Sequence, residues 1–272
     1  MTATTLSTPA LAPQKRSALA WAIADTKAVT WRNLVTLRRM PQLLVFSTIQ
    51  PVIFVLLFRY VFGGAIHIPG VDYVNYLMPG IFAQTVTFGA IQTGIGLAED
   101  LNKGLIERFR SLPMARSAVL AGRTLADLVR NVFVVALMIV VGYMVGFRVQ
   151  TGILGMLAGV AVILLFGFSL TWIFAIIGLS APNAETAQAM SFPILAPLVF
   201  ASSAFVAVDT MPGWLQPFAT YQPVSIAVDA VRSLMLGGQF HDTGKVIASL
   251  AWSIGIVAVF APLAVRVYRR TA

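Results

Sequence analysis

The 272-residue chain contains no cysteine and only two histidines, and only 11% of its residues are charged. Without cysteine there are no disulfides, no thiolate nucleophile and no thiolate-held metal. The absence says little about compartment, because a chain embedded in lipid needs no covalent staple. His67 and His241 fall in separate connections with no obvious ligand pair, and Asp72 and Asp242 near them read as solvated loop residues. Soluble domains are about 25% charged. A chain with less than half that proportion and 58% hydrophobic residues belongs in a bilayer. The phosphate-binding pattern G-x-x-x-x-G-K-[ST] is also missing, so the chain has no means of cradling a nucleotide. The run "LGGQ" at 236–239 is a chance likeness to an ATPase signature, and its glycines read instead as the end of the helix "SIAVDAVRSLML".

What is abundant is long apolar sequence. Crossing about 30 Å of hydrocarbon takes roughly 20 mostly apolar residues. Six runs qualify, at 43–62, 76–98, 125–147, 153–179, 187–208 and 246–265. The first begins after some forty residues, has no small-residue cleavage site behind it and is followed by further runs, so it is expected to persist as an anchor. With six spans, 15 of the 19 basic residues fall on one side, which predicts that both termini are cytoplasmic. Tyr60, Tyr73, Tyr76, Trp214 and Tyr221 fall where an opposite aromatic belt belongs. The net charge of +9 is then explained by topology and anionic headgroups, and no nucleic-acid partner is required. The expected fold is an all-α membrane protein of six transmembrane helices. A tail with an interfacial helix occupies 1–41 and the transmembrane domain 42–270.

Three segments outside the spans carry pattern. In the tail, Trp21, Ala24, Ala28, Trp31 and Val35 recur at steps of three and four, a helical stripe that Pro41 ends; Lys27, Arg32, Arg38 and Arg39 surround it. Between the second and third runs stands "DLNKGLIERFRSLP". Leu101, Leu105, Phe109 and Leu112 fall on one face of a short helix stopped by Pro113, with Lys103, Glu107, Arg108 and Arg110 on the others. Glu99 precedes Lys103 by four residues, the favourable order for a helical ion pair. Such an element either lies on the headgroups or docks against a protein, and its mixed charge suits register against a partner. Between the fifth and sixth runs, Pro212, Pro217 and Pro223 break an apolar stretch into short pieces expected to dip into the outer leaflet, with Asp229 and Arg232 paired at i, i+3.

Ionisable residues are absent from the middles of the runs, where a proton-coupled transporter would keep them. Asp127 and Arg130 read as a local pair one turn inside the third run, Glu185 as a turn residue, and Arg59 as snorkelling outward. Pro193 and Pro197 suggest a broken fifth helix beside a cavity. Gln50, Gln84, Thr85, Thr87, Gln92 and Thr93 supply a mildly polar lining suited to an amphipathic, lipid-soluble molecule, although such groups also tie helices together.

The runs "AEDLNKGLIERFRSLPMARSAVLAGRTLADL", "PNAETAQAMSFPILAPLVFASSAFVAVDTMPGWLQPFA" and "QPVSIAVDAVRSLMLGG" resemble, in order, the ABC-2 type permease family, and within it the daunorubicin and doxorubicin resistance permeases of actinobacteria. The resemblance implies a permease subunit without catalytic residues that dimerises and pairs with a separate ATPase, which binds ATP and magnesium; this chain would hold no cofactor or metal. It implies that Glu99, Leu101, Lys103, Leu105, Glu107, Arg108, Phe109, Arg110 and Leu112 form a coupling helix docked on that ATPase. By the same resemblance Trp21, Trp31, Arg32, Arg38 and Arg39 belong to an interfacial helix on the inner leaflet. Trp214, Tyr221, Asp229 and Arg232 then fall in re-entrant pieces that would form an outer gate. The implied substrate is a hydrophobic drug or related lipid. The alternatives are export of a cell-envelope lipid or glycan and, in another class, a secondary transporter or channel.

Overall fold

The computed structural model describes residues 18–39, 41–105 and 116–271, and among them every regular element is helical. Helix α1 (Ala18–Arg39) precedes α2 (Pro41–Leu56), which runs on as a π-helical stretch, Leu57–Phe62. Then come α3 (Tyr73–Asn102), α4 (Arg116–Met144), α5 (Gly152–Ser180) and α6 (Ala184–Phe200). Two short helices, α7 (Gln216–Tyr221) and α8 (Pro223–Met235), lead to the long α9 (Thr243–Thr271).

Four of these, α3, α4, α5 and α9, are long and apolar enough to cross a membrane. At 1.5 Å per residue, their 28 to 30 residues reach about 42–45 Å, more than the hydrocarbon thickness. The first and fifth apolar runs fall on shorter helices, α2 and α6. The fifth run was expected to reach residue 208, but α6 stops at Phe200. Its end is local chemistry: Ser202 donates its hydroxyl to the Val199 carbonyl at 2.5 Å and accepts the Ala204 N–H at 3.1 Å. Such side-chain bonds offer the backbone an alternative to another helical turn. The expected break at Pro193 and Pro197 does not occur, since α6 is continuous through both. Asn183 caps its start, accepting the Thr186 N–H at 2.7 Å.

α3 is the axis of the bundle. Every residue from Tyr73 to Thr87 is buried, with α5 along one side and α4 and α6 along others. Small residues set the α3–α5 distance: a Cβ on Gly178 would collide with the Gly94 backbone, and one on Gly94 with the Phe174 carbonyl. In lipid, where apolar surface alone does not drive helices together, such close backbone contact supplies packing energy. α8 tucks between α5 and α9, and α1 lies along α4, where Val29 fills the space beside Gly122. The outward faces of α4, α5 and α9 are apolar, with Phe133, Leu154 and Ile254 exposed among others.

Candidate functional site

A network of ion pairs collects where α1, α3 and α4 meet. On α4, Arg123, Asp127 and Arg130 stand at i, i+4 and i+7, so helix geometry puts all three on one face. That face lies against α3, and Gly96 makes the approach feasible, because a Cβ there would overlap the Arg123 guanidinium. Arg123 reaches Asp100 at 3.4 Å and Asp127 at 3.6 Å; Arg130 reaches Asp127 at 3.3 Å and donates to the Gly89 carbonyl at 2.7 Å. Thr93 donates its hydroxyl to Asp127 at 2.6 Å, and Arg32 of α1 stands 3.8 Å from Asp100. Two carboxylates are thus held among three guanidiniums, with Asp127 only 6% exposed. A buried carboxylate is tolerated only when its oxygens are occupied, and here both oxygens of Asp127 are. Removing one member leaves the others buried and unbalanced.

Beside the network, α1, α2, α3 and α4 enclose a cleft of about 330 Å³ bordered by Leu37, Gln50, Gln92, Glu99, Asp127 and Arg130. It narrows into a niche of about 50 Å³ reaching Gln84 and Asn131, with Ser47, Gln50, Gln92 and Arg130 common to both. Four of the six residues expected as a polar lining, Gln50, Gln84, Thr85 and Gln92, meet there. The other two do not: Thr87 donates back to the Ala83 carbonyl at 2.6 Å, and Thr93 is taken by Asp127.

At the other end of the bundle Arg232 of α8 is 2% exposed. It donates to the carbonyls of Tyr76, Ser203 and Ala204 and to Asp229 at 3.1 Å, and its guanidinium carbon lies 3.5 Å from the Tyr76 ring centre. Asp229 also accepts the Ser203 hydroxyl at 2.8 Å and has Lys245 at 3.6 Å. One side chain therefore clamps α3, the segment after α6 and α8 together. The expected quartet divides, since Trp214 and Tyr221 are about three-quarters exposed and touch neither member of the pair. The "LGGQ" run lies at this same end: Gly237 and Gly238 have φ of 61° and 52°, and Gln239 donates to the Pro69 carbonyl at 2.9 Å. It is a structural turn.

The pair Glu99–Lys103 forms at 3.0 Å, but both side chains are largely exposed and contribute only tenths of a kcal/mol, ~0.3. The expected separate helix starting at Leu101 needs correction. Leu101 ends α3 and packs against the cluster of Leu97, Val119 and Tyr268, and the chain then turns at Gly104, φ +63°, before Leu105. Glu107, Arg108, Phe109, Arg110 and Leu112 lie outside the described residues. The stripe of Trp21, Ala24, Ala28, Trp31 and Val35 lies on helix α1. Val29 meets α4, while Trp21 and Trp31 are exposed at 49% and 69%, and Arg38 and Arg39 are exposed in the last turn.

The sequence of the ABC-2 type transporter family matches residues 24–236. The chain belongs to that family. It is 40% identical over 260 residues, 95% of this chain and 91% of the relative, to a daunorubicin resistance ABC transporter permease protein of Streptomyces coeruleorubidus. A doxorubicin resistance ABC transporter permease protein of Mycobacterium tuberculosis is 28% identical over 263 residues, 91% and 88% of the two chains. A second permease of the same kind from that organism is 27% identical over 266 residues, 97% and 95%. The ABC-2 chain described here is thus similar over nearly its whole length to permease subunits, and its bundle of apolar helices is that of a multi-pass membrane protein.

Proposed function

We propose that this ABC-2 permease is the membrane-spanning subunit of an exporter that moves hydrophobic or amphipathic drugs of the daunorubicin and doxorubicin kind out of the cell. The similarity to the daunorubicin resistance permease over 95% of the chain carries the reading. In it the chain crosses the membrane six times with both termini cytoplasmic, α2 and α6 serving as the first and fifth spans. It works as a dimer and receives its energy from a separate ATPase that binds ATP and magnesium, consistent with a sequence that has no phosphate loop of its own. Residues 99–112, from the last turn of α3 into its connection with α4, dock on that ATPase. The Arg32–Asp100–Arg123–Asp127–Arg130 network transmits the resulting movement to α1, α3 and α4 together. The Arg232 clamp and the short helices α7 and α8 form the outer closure.

The test is efflux. Cells expressing the permease with its ATPase should accumulate less doxorubicin, and the effect should vanish when the ATPase phosphate-loop lysine is replaced. Equal accumulation with and without the complete complex at verified membrane abundance rejects the reading.

A further inference from the structure

The niche between α2, α3 and α4 holds an arrangement that packing alone does not explain. Gln84 of α3 is 1% exposed, and among the described residues neither its amide oxygen nor its amide nitrogen has a hydrogen-bond partner. Across from it Asn131 of α4 is 2% exposed, and its amide nitrogen has no partner among those residues either. Buried polar atoms are nearly always bonded, so three idle donors and acceptors around one small space point to something that enters it. The arrangement is built into the backbone: Asn131 can lie against α3 only because residue 89 is glycine, where a Cβ would stand 2.5 Å from the Asn131 amide oxygen.

The chemistry of the visitor follows from the walls. The unpartnered groups are neutral amides offering both a donor and an acceptor, which matches a hydroxyl or a carbonyl. Among the described residues the one charged group at the niche is Arg130, already engaged by Asp127 and the Gly89 carbonyl, and it repels a cation. Phe88, Pro51 and Val134 supply apolar wall, so a ring edge can follow the oxygen. At about 50 Å³ the niche admits one such functional group, and the rest of the molecule lies in the adjoining cleft of about 330 Å³. Drug-sized sites begin at about 300 Å³.

We propose that the Gln84–Asn131 niche is a binding site for the neutral, oxygen-bearing edge of an amphipathic ring ligand, entered from the cleft between α1, α2, α3 and α4. The assignment rests on the exporter reading above and names a site within one permease chain for its substrate.

The full-length permease in lipid nanodiscs, with doxorubicin as the probe and its own fluorescence as the signal, tests the site. Gln84→Leu keeps the volume and removes the amide. Affinity should fall about tenfold, with a similar loss for Asn131→Leu, while the melting temperature of each variant stays level or rises, because a buried group without a partner has been removed. A role confined to packing cannot move the two readouts in opposite directions. Unchanged affinity in stable variants means a water-filled niche and overturns the proposal, as does a fall in affinity that merely tracks lost thermal stability. The two readings fail differently. ATPase-dependent efflux that is intact in wild type and unaltered by Gln84→Leu sinks the niche alone, whereas a wild-type complex that neither binds nor exports doxorubicin sinks both.

Discussion

Replacing Arg232 by Met keeps the aliphatic stem in its packed position and removes every donor. The Tyr76 carbonyl loses two bonds, of 3.1 and 3.0 Å, and the Ser203 and Ala204 carbonyls lose bonds of 2.6 and 3.3 Å. A buried acceptor left without a donor costs about 1–3 kcal/mol. The lost cation–π contact with Tyr76 adds about 1–2 kcal/mol where water is excluded. Against this, the guanidinium is no longer held out of water, which returns several kcal/mol. Breaking a buried charge network by removing one partner nets a loss of about 3–5 kcal/mol. At about 2–4 °C per kcal/mol for a chain of this size, the melting temperature should drop by roughly 10 °C.

Asp229 provides the internal comparison. It is 29% exposed and keeps the Ser203 hydroxyl and Lys245, so its ion pair with Arg232 is screened and Asp229→Asn should cost under about 1 kcal/mol. The assay is thermal unfolding of the purified permease in a fixed detergent, with both single variants and the double variant. An Asp229→Asn loss as large as that of Arg232→Met would mean that the ion pair, and not the carbonyl clamp, is what holds this end. A melting temperature for Arg232→Met within 2 °C of wild type would refute the clamp altogether.

Other outcomes follow from the same geometry. Asp127→Asn leaves Arg123 and Arg130 facing an uncharged amide and should destabilise by about 3 kcal/mol in the same unfolding assay, with Arg130→Met in the same chain recovering part of the loss; no recovery would argue against the network. Gly178→Ala should destabilise by about 1–3 kcal/mol by forcing α3 and α5 apart, whereas Gly255→Ala, where a Cβ meets nothing within 4 Å, should stabilise by up to about 1 kcal/mol; equal effects would contradict the close approach. A cysteine at Gly70 should react with an impermeant thiol reagent added to intact cells and one at Asn102 should not, and the reverse pattern would invert the topology. Glu107→Lys and Phe109→Ala should each lower recovery of the ATPase in pull-down and reduce efflux at equal membrane abundance, and full retention of both would leave residues 101–112 resting on lipid.

What could be read from sequence follows from how far a residue's partner lies along the chain. The pairs Glu99–Lys103, Asp127–Arg130 and Asp229–Arg232 were legible because they stand three or four residues apart, and helix geometry alone brings such residues together. The bonds that matter more join different helices: Arg123 to Asp100, Thr93 to Asp127, Arg232 to the Tyr76 carbonyl. They depend on where two helices cross, which no single segment encodes. Gly96 was the one available signal for the first, and a lone glycine in an apolar run has too many readings. The stripe of Trp21, Ala24, Ala28, Trp31 and Val35 was legible as one face of a helix, but the residues that meet α4 were not: beside lipid an apolar face can point outward while Val29 packs. Leu101 looked like the start of an independent helix because its periodicity continues past Gly104, and periodicity does not register a positive φ.

α3 is the element through which these sites bear on one another. Tyr76 near one end lies in the Arg232 clamp, and Asp100 near the other lies in the arginine network, 24 residues and about 36 Å of helix away. Between them Gln84 and Gln92 border the niche and cleft, and Gly94 fixes the contact with α5. Pro79 interrupts the backbone ladder near the Tyr76 end, and no further proline stands between it and Asp100, so the ladder is continuous over the part of α3 that carries Gln84, Gln92 and Gly94. Because Asp127 accepts from Thr93 and sits between Arg123 and Arg130, α4 is tied to that part. The cleft lies between that block and α2, which α3 contacts far less extensively than it does α5. α2, which walls the Gln84–Asn131 niche, is thus among the helices that α3 holds least extensively.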